Sequence, residues 1–392
     1  MNIALAHKLI AQHGSPLYAY DLASVSARAD ELLSSLPDRA RLYYSFKANP
    51  FPAIASTLRE HGILAEITST GELDAALAAG YRDGMVGGGP GKTMRTLLKM
   101  LEHGVRKFSC ESFQDAKRIS QAAQEAGVEV SAVIRVNPSQ APDARLAMSG
   151  VESQFGFDEA LLIAEAKPRL ALPGIRWNGV HVYFGTQVAS VDALRRNTEC
   201  ALATAERVAE NLSIEVQTVN VGGGFPWPYA HEAPPPSLAG LKQALTEAWQ
   251  ASPLSAAASL AFESGRFLCA SSGTLLTTVL DVKQAGQKTF VVLDTGIHHL
   301  GGMAGLGRIP RSAMTFHNLT AQRTGEVTVD IAGPLCSPLD CLARGIKLPP
   351  LEPGDVLAIP NVGAYGLTAS LTRFLSHELP PEIPYFSIPH DQ

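Results

Sequence analysis

RLYYSFKA (41–48), PAIASTLREHG (52–62), ILAEITS (63–69) and TGELDAALAAG (70–80) are the stretch that decides the fold. A short run of β-type residues gives way at once to helical spacing, and then the pair repeats. The alternation extends outward through DGMVGGG (83–89), KTMRTLLKMLEHG (92–104), RKFSCES (106–112), VSAVIRVNP (130–138), WNGVHVYFG (177–185), VQTVNVGGG (216–224) and SLAFESG (259–265). Strands that alternate with helices pair in parallel, and eight such runs predict a closed α/β barrel of the (β/α)8 TIM type over residues 25–275.

Beyond that point the pattern changes to GTLLTTVLDVKQ (273–284), KTFVVLDTG (288–296), EVTVDIAG (326–333) and GDVLAIPNVG (354–363), parted by Gly, Pro and Asp turns. This predicts a mainly antiparallel β-domain over 276–392. The early strand-like run SPLYAYDL (15–22) is expected to join it, so that segment 1–24 belongs with the carboxyl-terminal domain. No repeat of solenoid period is visible.

At 392 residues the chain is long enough for two cores. Its net charge of −5, with Lys and Arg scattered, offers no electrostatic footprint for nucleic acid. Charges interrupt every apolar stretch well short of the roughly 20 residues that span a bilayer, and MNIALAHKLIAQHGSP (1–16) reads as a short amphipathic helix without a signal peptide's apolar core. Five cysteines with no CxxC pair argue against a disulfide framework and for a cytoplasmic protein.

Three segments carry chemistry. Lys47 ends the first barrel strand, where barrel enzymes display reactive groups, and partial burial behind Tyr43, Tyr44 and Phe46 would make its neutral amine available for Schiff-base chemistry. The plain alternative is a surface lysine. Gly222, Gly223 and Gly224 follow an apolar strand and can let backbone N–H groups hold a phosphate, or form only a tight turn. Glu263 ends the last barrel strand with Arg266 three residues on; the carboxylate could hold a pyridine nitrogen protonated and the guanidinium reach a phosphate, or the two could be a structural pair. VGGGPGKT (86–93) resembles a nucleotide-binding P-loop, but Val86 stands where the first glycine is needed. No HExxH occurs, and a strand would send the adjacent His298 and His299 to opposite faces, so no metal site is expected.

Together and in order, SPLYAYD, YYSFKANP, AEITSTGEL, RVNP, SQFGF, HVYFGTQ, VGGGFP, ESGR, GPLCSPLD and VGAYG resemble the fold-type III pyridoxal-phosphate-dependent decarboxylases, the alanine racemase-like group that contains diaminopimelate, ornithine and arginine decarboxylases. The resemblance implies pyridoxal 5'-phosphate as cofactor, with Lys47 bound to it. It further implies Gly222–Gly224, Gly265, Arg266 and Tyr365 around the phosphate, Glu263 at the ring nitrogen, and Arg135 and His181 beside the cofactor. Cys336 resembles the family's proton donor, delivered from the partner subunit of a head-to-tail homodimer. An amino-acid racemase of the same fold lacks the GPLC element, so Cys336 separates the two.

The sequence departs from the diaminopimelate pattern at three places. Tyr183 stands where that type has a ring-stacking histidine, and an aromatic side chain there can stack as well. Ser337 follows the cysteine where amine-recognising members have Asp or Glu, and DTGIHHLGGM lacks an arginine near Gly302. These losses, with the ending AYGLTASLTRFLSHELPPEI, are similar to decarboxylases of citrate-based siderophore pathways. The implied substrate is a citryl-conjugated amino acid such as citryl-serine or citryl-diaminopropionate, with His298, Arg308, Arg373 and His377 as candidate anion-binding groups. A carrier-bound or free amino acid, diaminopimelate included, is the nearest rival. A nucleotide-binding P-loop protein is the rival of a different class.

Overall fold

A computed structural model describes residues 2–138, 152–301, 314–320 and 323–387. The chain divides into two compact units: Arg28–Pro226 with Pro236–Leu268, and Met1–Ala27 with Trp227–Pro235 and Cys269–Gln392.

Strand β1 (Leu17–Asp21) belongs to the second unit. The first is the barrel, formed by β2 (Arg41–Ser45), β3 (Leu64–Ile67), β4 (Met85–Gly87), β5 (Lys107–Cys110), β6 (Val130–Asn137), β8 (Ile175–His181), β9 (Thr218–Asn220) and β10 (Ser259–Ser264), with the two-residue β7 (Phe157–Asp158) paired to β6. All eight runs expected from the sequence are strands. They pair in parallel, and contacts of β10 with β2 and of β5 with β6 close the ring. Period-two alternation sends Leu42 and Tyr44 to the helices and Tyr43 inward, where it packs with Val86, Ala261 and Leu64.

The helices start where the chain supplies hydroxyl caps. Ser69 accepts the Glu72 N–H at 3.1 Å, Thr93 that of Thr96 at 3.1 Å, Ser112 that of Asp115 at 3.1 Å and Ser190 that of Ala193 at 3.2 Å. Ser69 and Ser112 sit two residues after β3 and β5, so these helix starts share the carboxyl-terminal rim with the strand ends, and Thr93 and Ser190 follow longer loops after β4 and β8. Glu72 also accepts from the Thr68 N–H at 2.6 Å, which ties the cap to the end of β3.

The second unit holds β11 (Gly273–Ala285), β12 (Lys288–Leu293), β13 (His317–Asn318), β14 (Val327–Ala332), β15 (Cys341–Leu348), β16 (Val356–Ile359) and β17 (Glu382–Tyr385). Most pairs are antiparallel; β12–β14 and β1–β17 are parallel. β1 lies between β11 and β17, and the helix Ile3–His13 packs Ala6 and Leu9 onto Leu17, Ala19, Leu276 and Ala358. Among the described residues, no helix is long and apolar enough to cross a membrane.

Lys92 shows why VGGGPGKT is no nucleotide cradle. Its ammonium is buried and donates to the Gly89 carbonyl at 2.5 Å and the Ser109 carbonyl at 2.9 Å, and pairs with Asp115 at 2.8 Å. No donor is left to face a phosphate. Instead the lysine pins the loop after β4 to β5 and to the next helix. Breaking such a buried pair on one side leaves an uncompensated charge, so Asp115→Ala is expected to destabilise the barrel by about 3 kcal/mol in urea unfolding, and Lys92→Met with Asp115→Leu to recover more than half of that loss.

Candidate active site

The carboxyl-terminal mouth of the barrel gathers the candidates that lie on barrel strands. Lys47 stands in a short 3-10 turn (Phe46–Ala48) after β2, with Phe46 and Ala48 buried and its own side chain exposed, the amine 6.0 Å from the centre of the Tyr183 ring. Gly265 permits this approach: a Cβ there would meet Ala48 Cβ at 2.6 Å and the Ser45 carbonyl at 3.2 Å.

Gly222 and Gly224 adopt φ of +68° and +100°, a region L side chains avoid. Space also forbids side chains here. A Cβ on Gly222 would fall on the Tyr183 ring, and one on Gly223 on the Glu263 carbonyl oxygen. The loop is a bare backbone wall facing Tyr183, fixed by the Glu263 N–H donating to the Gly222 carbonyl at 2.8 Å.

Glu263 is buried and accepts from Asn220 Nδ2 at 2.8 Å; the same Asn220 accepts the Gly222 N–H at 2.9 Å. Glu263 Oε1 lies 3.6 Å from His181 Nε2, and His181 Nδ1 meets Ser109 Oγ at 2.9 Å. Burial, then the Arg135 charge, holds the His181 imidazole well below its usual range, so the ring is neutral. Arg135 is buried, donates to Glu111 Oε1 at 2.7 Å and lies over Phe155, 4.9 Å from its centre. Glu111 Oε2 accepts the Gly156 N–H at 2.8 Å, which ties SQFGF to the end of β5 and, through Arg135, to β6.

Sequence reading missed Glu66, the inward carboxyl at the end of β3. It is buried, and burial pushes its pKa up, with Lys47 opposing and Glu263 adding to the rise. Gly88 makes room: a Cβ there would sit 2.9 Å from Glu66 Oε1. The signal was the segment AEITSTGEL, whose acid at a strand end has the same placement as Glu263.

In the second unit, Cys336 is exposed and Ser337 half-buried in a loop organised by Asp340. Asp340 Oδ2 accepts the Leu335 N–H and Oδ1 the Ile297 N–H, both at 2.8 Å, and side chains on Gly296 or Gly333 would collide with this carboxylate. Tyr365 sits at φ +58°, its carbonyl accepting from Tyr229 at 3.2 Å.

His298 and His299 correct the expectation of opposite faces. They follow the end of β12 in a turn, and their rings lie together with centres 3.7 Å apart; His377 is 4.8 Å from His298. His298 is fully buried with neither ring nitrogen hydrogen-bonded, and burial with two imidazole neighbours takes its pKa down to about 3. Arg373 is exposed, and Arg308 lies outside the described residues. No group of three or more His, Cys, Asp or Glu among the described residues is arranged to hold a metal ion.

Residues 22–270 match the model of the pyridoxal-binding domain of pyridoxal-dependent decarboxylases, and the chain belongs to that family. It is 31% identical to the L-glutamyl-(BtrI acyl-carrier protein) decarboxylase of Niallia circulans, over 94% of this chain and 88% of that protein. It is 26% identical to the 2-((L-alanin-3-ylcarbamoyl)methyl)-2-hydroxybutanedioate decarboxylase of Staphylococcus aureus, over 93% and 92%. The crystal structure of diaminopimelate decarboxylase from Helicobacter pylori, complexed with L-lysine, matches with a TM-score of 0.84 at 26% identity, covering 97% of this chain and 93% of that one. The protein is therefore an amino-acid decarboxylase, and its cofactor is pyridoxal 5'-phosphate. The mouth fits that group: an amine, a flat aromatic ring, a side-chain-free cradle and a buried carboxylate lie on adjoining strand ends.

Two outcomes are expected. Gly223→Ala forces β10 away from the loop; it should weaken pyridoxal phosphate at least tenfold in a spectrophotometric titration and lower stability by about 1–3 kcal/mol. For His298, above its ordinary pKa near 6.5 the folded and unfolded forms are both neutral. Below it the unfolded chain takes a proton that the folded chain refuses, so stability falls with pH by roughly 1.4 kcal/mol per unit for this residue. Glu66 acts in the opposite sense, so the readout is the difference: His298→Gln should flatten the urea-stability profile between pH 6 and 5 by about one proton.

Proposed function

We propose that this decarboxylase removes the α-carboxylate of an amino acid whose distal end is conjugated instead of ending in a free amine. The observation that carries the reading is Ser337. It stands directly after Cys336, where an amine-recognising relative has an acid, and its hydroxyl is engaged with the Leu339 N–H at 3.2 Å. A neutral residue there gives a cationic substrate end nothing to pair with. The exposed imidazole of His377 and guanidinium of Arg373 suit a carboxylate-bearing conjugate instead, whereas the fully buried, neutral His298, expected from the sequence to join them, backs His377 from inside.

A citryl-conjugated amino acid of siderophore assembly, such as citryl-serine or citryl-diaminopropionate, is the leading candidate. The Staphylococcus aureus relative, whose substrate is an alanine joined through an amide to a hydroxy-polycarboxylate, supports it. A carrier-tethered amino acid is the second reading, favoured by the Niallia circulans relative.

Pyridoxal phosphate supplies the electron sink for the pair released when the Cα–carboxylate bond breaks. The chain supplies the rest. Lys47 would hold the cofactor through its aldehyde until a substrate amine arrives. Backbone N–H groups of Gly222–Gly224, with Arg266 and Tyr365, hold the phosphate, while Tyr183 covers the ring. Glu263, steadied by Asn220, keeps a proton at the ring nitrogen. Arg135 is set beside the ring by Glu111, and neutral His181 packs against Glu263 without adding charge. Cys336 returns a proton to Cα from the partner subunit of a homodimer, which suits a thiol left exposed at a loop tip in one chain.

Two measurements test this. CO2 release from a citryl-conjugated amino acid, from carrier-tethered glutamate and from free diaminopimelate should rank a conjugate above diaminopimelate by at least about 100-fold in kcat/KM; the reverse order overturns the substrate reading. Mixing inactive Lys47→Ala with inactive Cys336→Ala should restore about a quarter of wild-type activity, because half the dimers then carry one complete site.

A further inference from the structure

The opposite, amino-terminal end of the barrel contains a feature the chemistry above does not use. TIM-type barrels normally fill their interior with layers of bulky branched side chains. Here Ser131, Thr218 and Ala261 stand at that end beside Tyr43, Val86 and Val133, and a cavity of about 240 Å3 remains.

Two cations, both partly open to solvent, line it. Arg41 opens β2 and lies two residues before Tyr43, whose ring is inside the barrel, so strand alternation turns Arg41 inward as well. Lys107 opens β5 two residues before Ser109, which meets His181 inside the barrel, and the same alternation applies. Arg176 stands at the rim, and Asn178 and Gln217 add polar groups to the wall. None of the described residues lining the cavity is acidic. Glu129, 3.9 Å from Arg176, is largely exposed, and Glu263 lies behind Asn220.

We propose that this amino-terminal cavity binds a small polyanion, of phosphate or polycarboxylate chemistry, through Arg41 and Lys107. Burial and the repulsion of Arg41 both hold the Lys107 ammonium below its usual pKa, so the two cations strain against each other across a polar hollow. A multiply charged anion between them relieves the repulsion and uses donors already turned inward. A water-filled pocket of neutral groups would need neither charge. The floor reaches Asn220, which holds Glu263 on its far side, but the anion itself stays at the end of the barrel away from Lys47.

The test uses holoenzyme saturated with pyridoxal phosphate, so that the cofactor's own phosphate site is filled. Inorganic phosphate and citrate are titrated by calorimetry at constant ionic strength against chloride, since surface attraction alone is screened by salt. Wild type is expected to bind one of them saturably, one per chain, with an unchanged visible cofactor band, and Arg41→Gln with Lys107→Gln to bind at least tenfold more weakly. Preference for phosphate assigns a phosphate-type ligand, and preference for citrate a polycarboxylate. Removing the repulsion should leave the double variant's melting temperature in chloride no lower than wild type. If it fails to fold, Lys107→Gln alone is read, with at least threefold weakening expected. Absence of saturable binding, or equal affinity in wild type and variant, overturns the proposal. Decarboxylation stands or falls separately.

Discussion

A carboxyl group inside a barrel costs several kcal/mol unless a donor meets it, and the Asn220 amide meets Glu263. That one hydrogen bond links two strand ends and the glycine loop. Asn220 closes β9 and also caps the Gly222 N–H, Glu263 is near the end of β10, and its own N–H fixes the glycine loop. The parallel register of the barrel makes this economical. Because every strand runs the same way, the last inward positions of successive strands form a ring at one end, and the acid, the amine, the guanidinium and the bare loop are delivered there together.

The second unit solves a different problem with similar means. A buried carboxylate at Asp340 receives one N–H from each of two loops and is enclosed by two glycines, so the segment carrying Cys336 and the segment carrying His298 are fastened to each other. His299 is held by Thr295 and the Glu378 carbonyl, but both ring nitrogens of the buried His298 are left unsatisfied, and its protonation opposes folding.

Much of this was legible in the sequence. Alternating β and helical periods gave the barrel, and strand-end placement singled out Lys47, Glu263 and the three glycines. Partners were not legible. Asn220 for Glu263, Glu111 for Arg135 and Asp340 for the Cys336 loop depend on the pairing of distant segments, which no local spacing encodes. His298 and His299 were misread because the strand before them ends at Leu293, and a turn puts adjacent side chains on one side. VGGGPGKT was set aside in the sequence on Val86 alone, and only tertiary structure reveals Asp115 beside Lys92. Glu66 was passed over although the same rule that found Glu263 applies to it.

The most direct measurement of the central claim is borohydride reduction of the purified, cofactor-loaded protein, followed by proteolysis and peptide mass spectrometry. The expected result is a single peptide, spanning YYSFKANP, in which Lys47 carries the reduced cofactor. Cofactor mass on Lys92 or any other lysine, or on none, would contradict it.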